Sequence, residues 1–144
     1  MPHDPKHQML HARPNVQTVW QIYAAFQLRD LPTVFGLFSP EIEIVQSGEL
    51  PWGGIYHGHT GAQQFMEKLT SHVTSAVLLE RFIDAGDSVV AIGRTQGTVN
   101  GNGQAFDVAI AHVWTLKDGL AVKAQYHIDH PAMLKALAPP EDEE

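Results

Sequence analysis

Residues 105–129 read AFDVAIAHVWTLKDGLAVKAQYHID, and the way this stretch pairs with itself decides the fold. Polarity alternates with a period of two on either side of Lys117-Asp118-Gly119, as it does in a β-hairpin. Two closures are open to such a turn: a two-residue Asp-Gly loop, or a three-residue Lys-Asp-Gly loop with glycine in the left-handed region. They differ by one residue of register, and a one-residue slip exchanges the two faces of a strand. The three-residue loop sets Phe106, Val108, Ile110, His112, Trp114 and Leu116 on one face with Leu120, Val122, Ala124, Tyr126 and Ile128. Apolar then meets apolar, so this is the expected register. The opposite face carries Asp107, Ala109, Ala111, Val113 and Thr115 beside Lys123, Gln125, His127 and Asp129, and is small and polar.

Upstream, period-two patterning persists back to about Ser75, with turn signals at Ala85-Gly86-Asp87 and Asn100-Gly101-Asn102-Gly103. Four antiparallel strands in a meander are expected. Before Ser75 the period changes to 3.6. Val16, Val19, Trp20, Tyr23 and Phe26 mark a helix from about Asn15 to Arg29, and Asp30 caps a short second one that Ser39-Pro40 stops. Glu41-Ile42-Glu43-Ile44-Val45 alternates like an edge strand, and a loop is expected from Ser47 to Gly58. Thr60-Gly61-Ala62-Gln63 fits a capping box for a third helix burying Ala62, Phe65, Met66, Leu69 and Val73. A final short helix runs through Met133, Leu134 and Leu137. One domain over residues 14–138 follows, with a mobile arm over residues 1–13 and a frayed acidic tail over residues 139–144.

Composition removes several function classes. The 144 residues carry nine basic and sixteen acidic side chains, a net charge of -7, and no cysteine. Thiol nucleophiles and thiolate metal sites are absent, and scattered Lys and Arg do not make a nucleic-acid surface. Apolar runs are too short to span a bilayer, and the opening residues do not read as a signal peptide, so a cytoplasmic location is expected. His3, His7 and His11, His57 and His59, and His127 and His130 are spaced suggestively, but no carboxylate or cysteine completes a ligand set. No metal is expected.

Three helices, a loop and a curved meander ending near a histidine and an aspartate resemble the nuclear transport factor 2-like fold, an α+β cone of antiparallel sheet wrapped on helices. Leu50-Pro51-Trp52-Gly53-Gly54-Ile55-Tyr56-His57-Gly58 before a helix resembles the signature of SnoaL-like polyketide cyclases and relatives of ketosteroid isomerase. His112-Val113-Trp114-Thr115-Leu116-Lys117-Asp118-Gly119, leading to Tyr126 and Asp129, resembles the last two strands of that family. The resemblance implies a small apolar ligand, no cofactor, and a homodimer paired through the outer sheet face of Ala109, Ala111, Val113 and Gln125. It places Gln46 where ketosteroid isomerase has its carboxylate base, and His112 where that enzyme has a protonated aspartic acid. In SnoaL-like relatives, His112 and Asp129 correspond to an acid–base pair.

The residues themselves support a pocket. His112 stands among Phe106, Val108, Ile110, Trp114 and Leu116, where burial lowers the pKa of an imidazole. A neutral imidazole can polarise a carbonyl or move a proton, with Tyr126 as a hydrogen-bond donor and Asp129 as an orienter or alternative base. Asp129 also precedes a helix start and suits an N-cap. Tyr23, Gln46, Ile110 and Trp114 are expected to line the pocket, and Trp52 and Tyr56, near Glu49, to roof it or plug it. Two functions follow: a cofactor-free isomerase, cyclase or dehydratase, or a non-catalytic module that carries a ligand or dimerises.

Overall fold

The computed structural model describes residues 13–138. The acidic tail, all of the arm but Arg13, and His3, His7 and His11 lie outside the described residues.

Helix α1 (Pro14–Gln27) opens on a proline, whose missing N–H costs nothing in the first turn. It buries Val16, Val19, Ile22, Tyr23 and Ala25 on one face. The helix ends in a Schellman turn: the Asp30 N–H donates to the Ala25 carbonyl at 2.9 Å and the Arg29 N–H to that of Phe26 at 3.0 Å. Arg29 occupies the left-handed position of that turn, with φ 59°, where glycine is usual. A side chain there costs roughly 1 kcal/mol. Asp30 then caps α2 (Leu31–Leu37) by accepting from the Thr33 N–H at 3.2 Å, as expected from sequence.

Strand β1 (Phe38–Gln46) starts at once, so Ser39-Pro40 lies inside a strand instead of stopping the helix from outside it. The ladder tolerates the proline because pairing is irregular between Phe38 and Glu43. The supposed loop contains a short strand β2 (Gly54–His57), and α3 (Gly58–His72) follows directly. His57 occupies the N-cap of α3 without a side-chain cap bond, so the capping box at Thr60 does not form. Val73 begins β3 (Val73–Ala85) instead of ending the helix. The chain continues through β4 (Ser88–Val99), β5 (Ala105–Lys117), β6 (Leu120–Ile128) and α4 (His130–Leu137).

The described residues form one six-stranded sheet in the order β2-β1-β6-β5-β4-β3. The meander β3 to β6 is antiparallel, as expected. β1 is interior, not an edge: it pairs with β2 and, in parallel, with β6. Together with the four helices this is an α+β fold on a curved, mixed sheet.

The last hairpin resolves the register in a way the sequence did not anticipate. Lys117 pairs with Leu120, so the loop is the two-residue one, and Asp118 and Gly119 both adopt positive φ (54° and 81°) as a type I′ turn requires. A bulge at Val122 then takes up one residue: Leu116 faces Ala121, whereas Thr115 faces Lys123. Beyond the bulge the faces are the expected ones but the pairing is two residues along: Trp114 lies opposite Ala124 instead of Val122, and His112 opposite Tyr126 instead of Ala124. Near the turn Ala121, and not Leu120 or Val122, points into the core.

Curvature comes from glycine. A Cβ on Gly93 would lie 2.1 Å from the Leu78 carbonyl oxygen, and one on Gly97 2.0 Å from that of Thr74. Only a residue without Cβ lets β3 coil this closely over β4. Gly97→Ala is therefore expected to destabilise the fold by about 1–3 kcal/mol through backbone overpacking. Chemical denaturation checks this; a midpoint equal to wild type would remove glycine as the source of the bend.

Candidate functional site

Paired residues on neighbouring strands share a face, which places Gln46, Tyr126, His112, Ala91 and Phe82 in one row across the inner surface. Trp114 and Tyr126 are packed edge to face at 5.7 Å, and the His112 and Tyr126 rings lie 4.6 Å apart. Helix α1 lays Tyr23 over this row, with its ring near-parallel to that of His112.

Three polar groups in this apolar interior satisfy one another. The Trp114 indole N–H donates to the Tyr23 hydroxyl at 2.9 Å, and that hydroxyl lies 2.6 Å from His112 Nδ1. An indole nitrogen can only donate, so the phenol oxygen accepts from it and places its own proton on the imidazole. Nδ1 is then an acceptor, and the neutral ring carries its hydrogen on Nε2. Among the described residues none hydrogen bonds to His112 Nε2 or to the Tyr126 hydroxyl.

Burial sets the protonation of all three ionisable rings. It pushes the His112 pKa down to about 3, helped by the charge of nearby His127. It raises the Tyr23 hydroxyl well above the ordinary phenol range, with a further push from Tyr126 that the Trp114 hydrogen bond partly offsets. Burial likewise raises Tyr126. At neutral pH the site is therefore uncharged.

His112 and Tyr126 border a cavity of about 960 Å³ between the sheet, α1 and α3. Of the residues expected to line a pocket, Tyr23, Gln46, Trp52, Ile110, His112, Trp114 and Tyr126 do so. Phe26, Phe65, Met66, Leu69 and Phe106 supply much of the remaining apolar wall. Met66 and Leu69, assigned from sequence to a buried helix face, are half-buried because that face looks onto the hollow.

The other expected site residues stand elsewhere. Asp129 is exposed and caps α4, accepting from the Ala132 N–H at 3.1 Å, so it is not brought to His112. Tyr56 does not line the cavity; its hydroxyl lies 3.1 Å from the carbonyls of Trp52 and Gly53, and its ring packs on Phe65. Those contacts fasten the segment down, so Trp52 is a buried wall residue and not a swinging lid. Glu49 is exposed and 3.8 Å from His130 Nδ1. Gln46 donates its amide to the Tyr126 carbonyl at 3.3 Å. The tie between Tyr23 and Trp114 is not among the sequence expectations; its signal is an indole and a phenol on facing apolar stripes.

Comparison with known proteins agrees with this fold. The model of the SnoaL-like domain family matches residues 19–124. An NTF2-like protein of unknown function from Burkholderia pseudomallei is 29% identical, with a TM-score of 0.81 over 88% of this chain and 99% of its own. TerC, co-crystallised with polyporic acid, is 26% identical, with a TM-score of 0.80 over 87% of this chain and 98% of its own. An NTF2-like protein from Burkholderia thailandensis is 27% identical, with a TM-score of 0.81 over 89% of this chain and 99% of its own. No curated protein matches the chain. Among the described residues no helix is long and apolar enough to cross a membrane.

The His112 environment carries a pH signature. The unfolded chain protonates this ring near pH 6.5 while the folded one resists down to about 3, so acid favours unfolding across that window. Stability that is complete above pH 6.5 is expected to fall as the pH is lowered toward 4. His112→Asn should flatten the slope by up to one proton. Urea midpoints measured against pH for both proteins check this, and identical slopes would contradict it.

Proposed function

The chain belongs to the SnoaL-like domain family, and we propose that it binds a small, largely apolar molecule in the cavity, with one ligand oxygen held by His112. The observation that carries this reading is the Nε2–H left without a protein partner beside a hollow of about 960 Å³. The nitrogen is not among the fully buried unpartnered atoms and is open to the cavity, where a ligand carbonyl would gain a hydrogen bond worth about 0.5–1.5 kcal/mol. The Tyr126 hydroxyl, 80 residues from Gln46 in sequence and adjacent to it in the sheet, supplies a second donor.

The same geometry selects among reactions. An imidazole whose conjugate acid has a pKa of about 3 is a poor base at neutral pH, and the nitrogen facing the ligand already carries hydrogen. His112 therefore polarises a carbonyl instead of abstracting a proton, and its fixed donor strengthens as negative charge develops on the ligand oxygen. Enolisation, aldol cyclisation or dehydration of a compound with an already acidic C–H fits this arrangement without a cofactor, the C–H proton passing to Glu67 or to solvent at the cavity mouth. Glu67 is the one carboxylate among the residues bordering the cavity.

A second reading, ligand carriage without turnover, is favoured by Gln46. An amide stands in the row where a carboxylate base would serve, and it is spent on the Tyr126 carbonyl. In either case a homodimer through Ala109, Ala111, Val113 and Gln125 suits the small side chains of the outer sheet face, which let two sheets approach closely.

His112→Ala is expected to weaken binding of an aryl ketone found by fluorescence screening about tenfold, the worth of one neutral hydrogen bond. If that ketone is turned over, kcat should drop by a factor of about 10²–10³. Tyr23→Phe should lose less, because the ring stays and only its tautomer is freed. Binding and turnover unchanged in His112→Ala would end the proposal. Sedimentation at micromolar concentration is expected to give a dimer; a species of 15.9 kDa would refute the pairing.

A further inference from the structure

The residues around the cavity are almost all uncharged; besides His112 the ionisable exceptions are Arg29, Glu67 and two tyrosines. Arg29 is exposed and yet borders the cavity, so it stands at the rim, flanked by Leu28 and Leu31, which are 79% and 42% exposed. Glu67 belongs to a different element, accepts from the Gln63 amide at 3.4 Å, and makes no ion pair with Arg29. Among the described residues Arg29 pairs with no carboxylate, as is also true of Lys68, Arg81, Lys117 and Lys135, but of these only Arg29 borders the cavity.

The backbone at this position adds a second, independent observation. Of the described non-glycine residues only Arg29 and Asp118 have positive φ. Asp118 sits in a type I′ turn, which aspartate suits. Arg29 sits in a Schellman turn, where glycine would be relaxed. A strained arginine at a cavity rim with no protein anion is available to an anion from outside the chain.

We infer that Arg29 reads an anionic group on the ligand, so that the molecule bound is an amphipathic acid: apolar body in the hollow, neutral oxygen at His112, carboxylate or enolate at the rim. This rests on the reading that the cavity binds a ligand through His112. Arg29 follows Tyr23, which touches His112, by six residues, so its backbone lies about 9 Å beyond that of Tyr23 in the direction of α1. A flat acid of two fused or linked rings spans that distance. Arginine suits the role because its fork meets a carboxylate through two hydrogen bonds.

The test compares 4′-hydroxybiphenyl-4-carboxylate with its uncharged methyl ester by calorimetry at low salt, in wild type and in Arg29→Gly, Arg29→Gln and Arg29→Lys. Wild type is expected to bind the acid about fivefold tighter than the ester, the range of a solvent-touching ion pair. Arg29→Gly and Arg29→Gln should abolish that preference, and Arg29→Lys should keep part of it. Arg29→Gly should also raise Tm by a few degrees, since it relieves the left-handed strain. Equal binding of acid and ester by wild type, a preference that survives in Arg29→Gly and Arg29→Gln, or a lower Tm in Arg29→Gly would each overturn the inference while leaving the cavity reading intact. Failure of both probes to bind wild type would overturn it together with that reading, and His112→Ala separates the two by weakening acid and ester alike.

Discussion

The molecule depends on one short chain of hydrogen bonds, from the Trp114 indole through the Tyr23 hydroxyl to the His112 imidazole. Three polar groups in a greasy interior must find partners or cost several kcal/mol between them. Their solution fixes the rotation of α1 against the sheet, because only Tyr23 can stand between a donor on one residue of β5 and an acceptor two residues away. It also fixes the tautomer of the imidazole. Structure and chemistry are therefore set by the same contact: the bond that seats the helix is the bond that aims Nε2–H into the hollow.

That linkage explains why the site is neutral. Trp114 contributes a donor without charge, Tyr23 relays it, and burial keeps His112 from taking a proton. A carboxylate orienting the imidazole would have raised its basicity and brought a proton-abstracting site closer. A phenol does the orienting while leaving the ring electrically silent, so the site resembles a fixed dipole more than an acid–base pair.

Much of this was legible in residues 105–129, because alternation over a long strand leaves little freedom and the apolar face had to close on itself. That His112 and Tyr126 share a face follows from that alone, whereas their direct pairing depends on the bulge. The β2 strand was not legible, since Gly54–His57 is too short to show a period and sits behind a turn-rich segment. The bulge at Val122 was hidden because alternation constrains only which side chains share a face: a two-residue turn plus one bulged residue restores the face that the turn alone would reverse, while moving the pairing by two residues. β1 alternates as an edge strand does, yet it is interior, and its partner lies too far along the chain for local pattern to reveal. Asp129 satisfied two descriptions at once, and helix capping won because the cap partner is three residues away while His112 lies across the sheet. The role of Arg29 could not be read either, since a left-handed arginine looks like any other surface cation in a sequence.

The parallel pairing of β1 with β6 bears on how the molecule comes to exist. Gln46 and Tyr126 meet across 80 residues of chain, so a strand made early stays without its inner neighbour until nearly everything else has been synthesised. Helices and the long antiparallel meander hold mostly local contacts and can assemble first, whereas closing that gap carries a large entropy of loop formation. The binding chamber is accordingly the last feature to be born, and a ribosome-bound fragment ending before β6 has walls but no room.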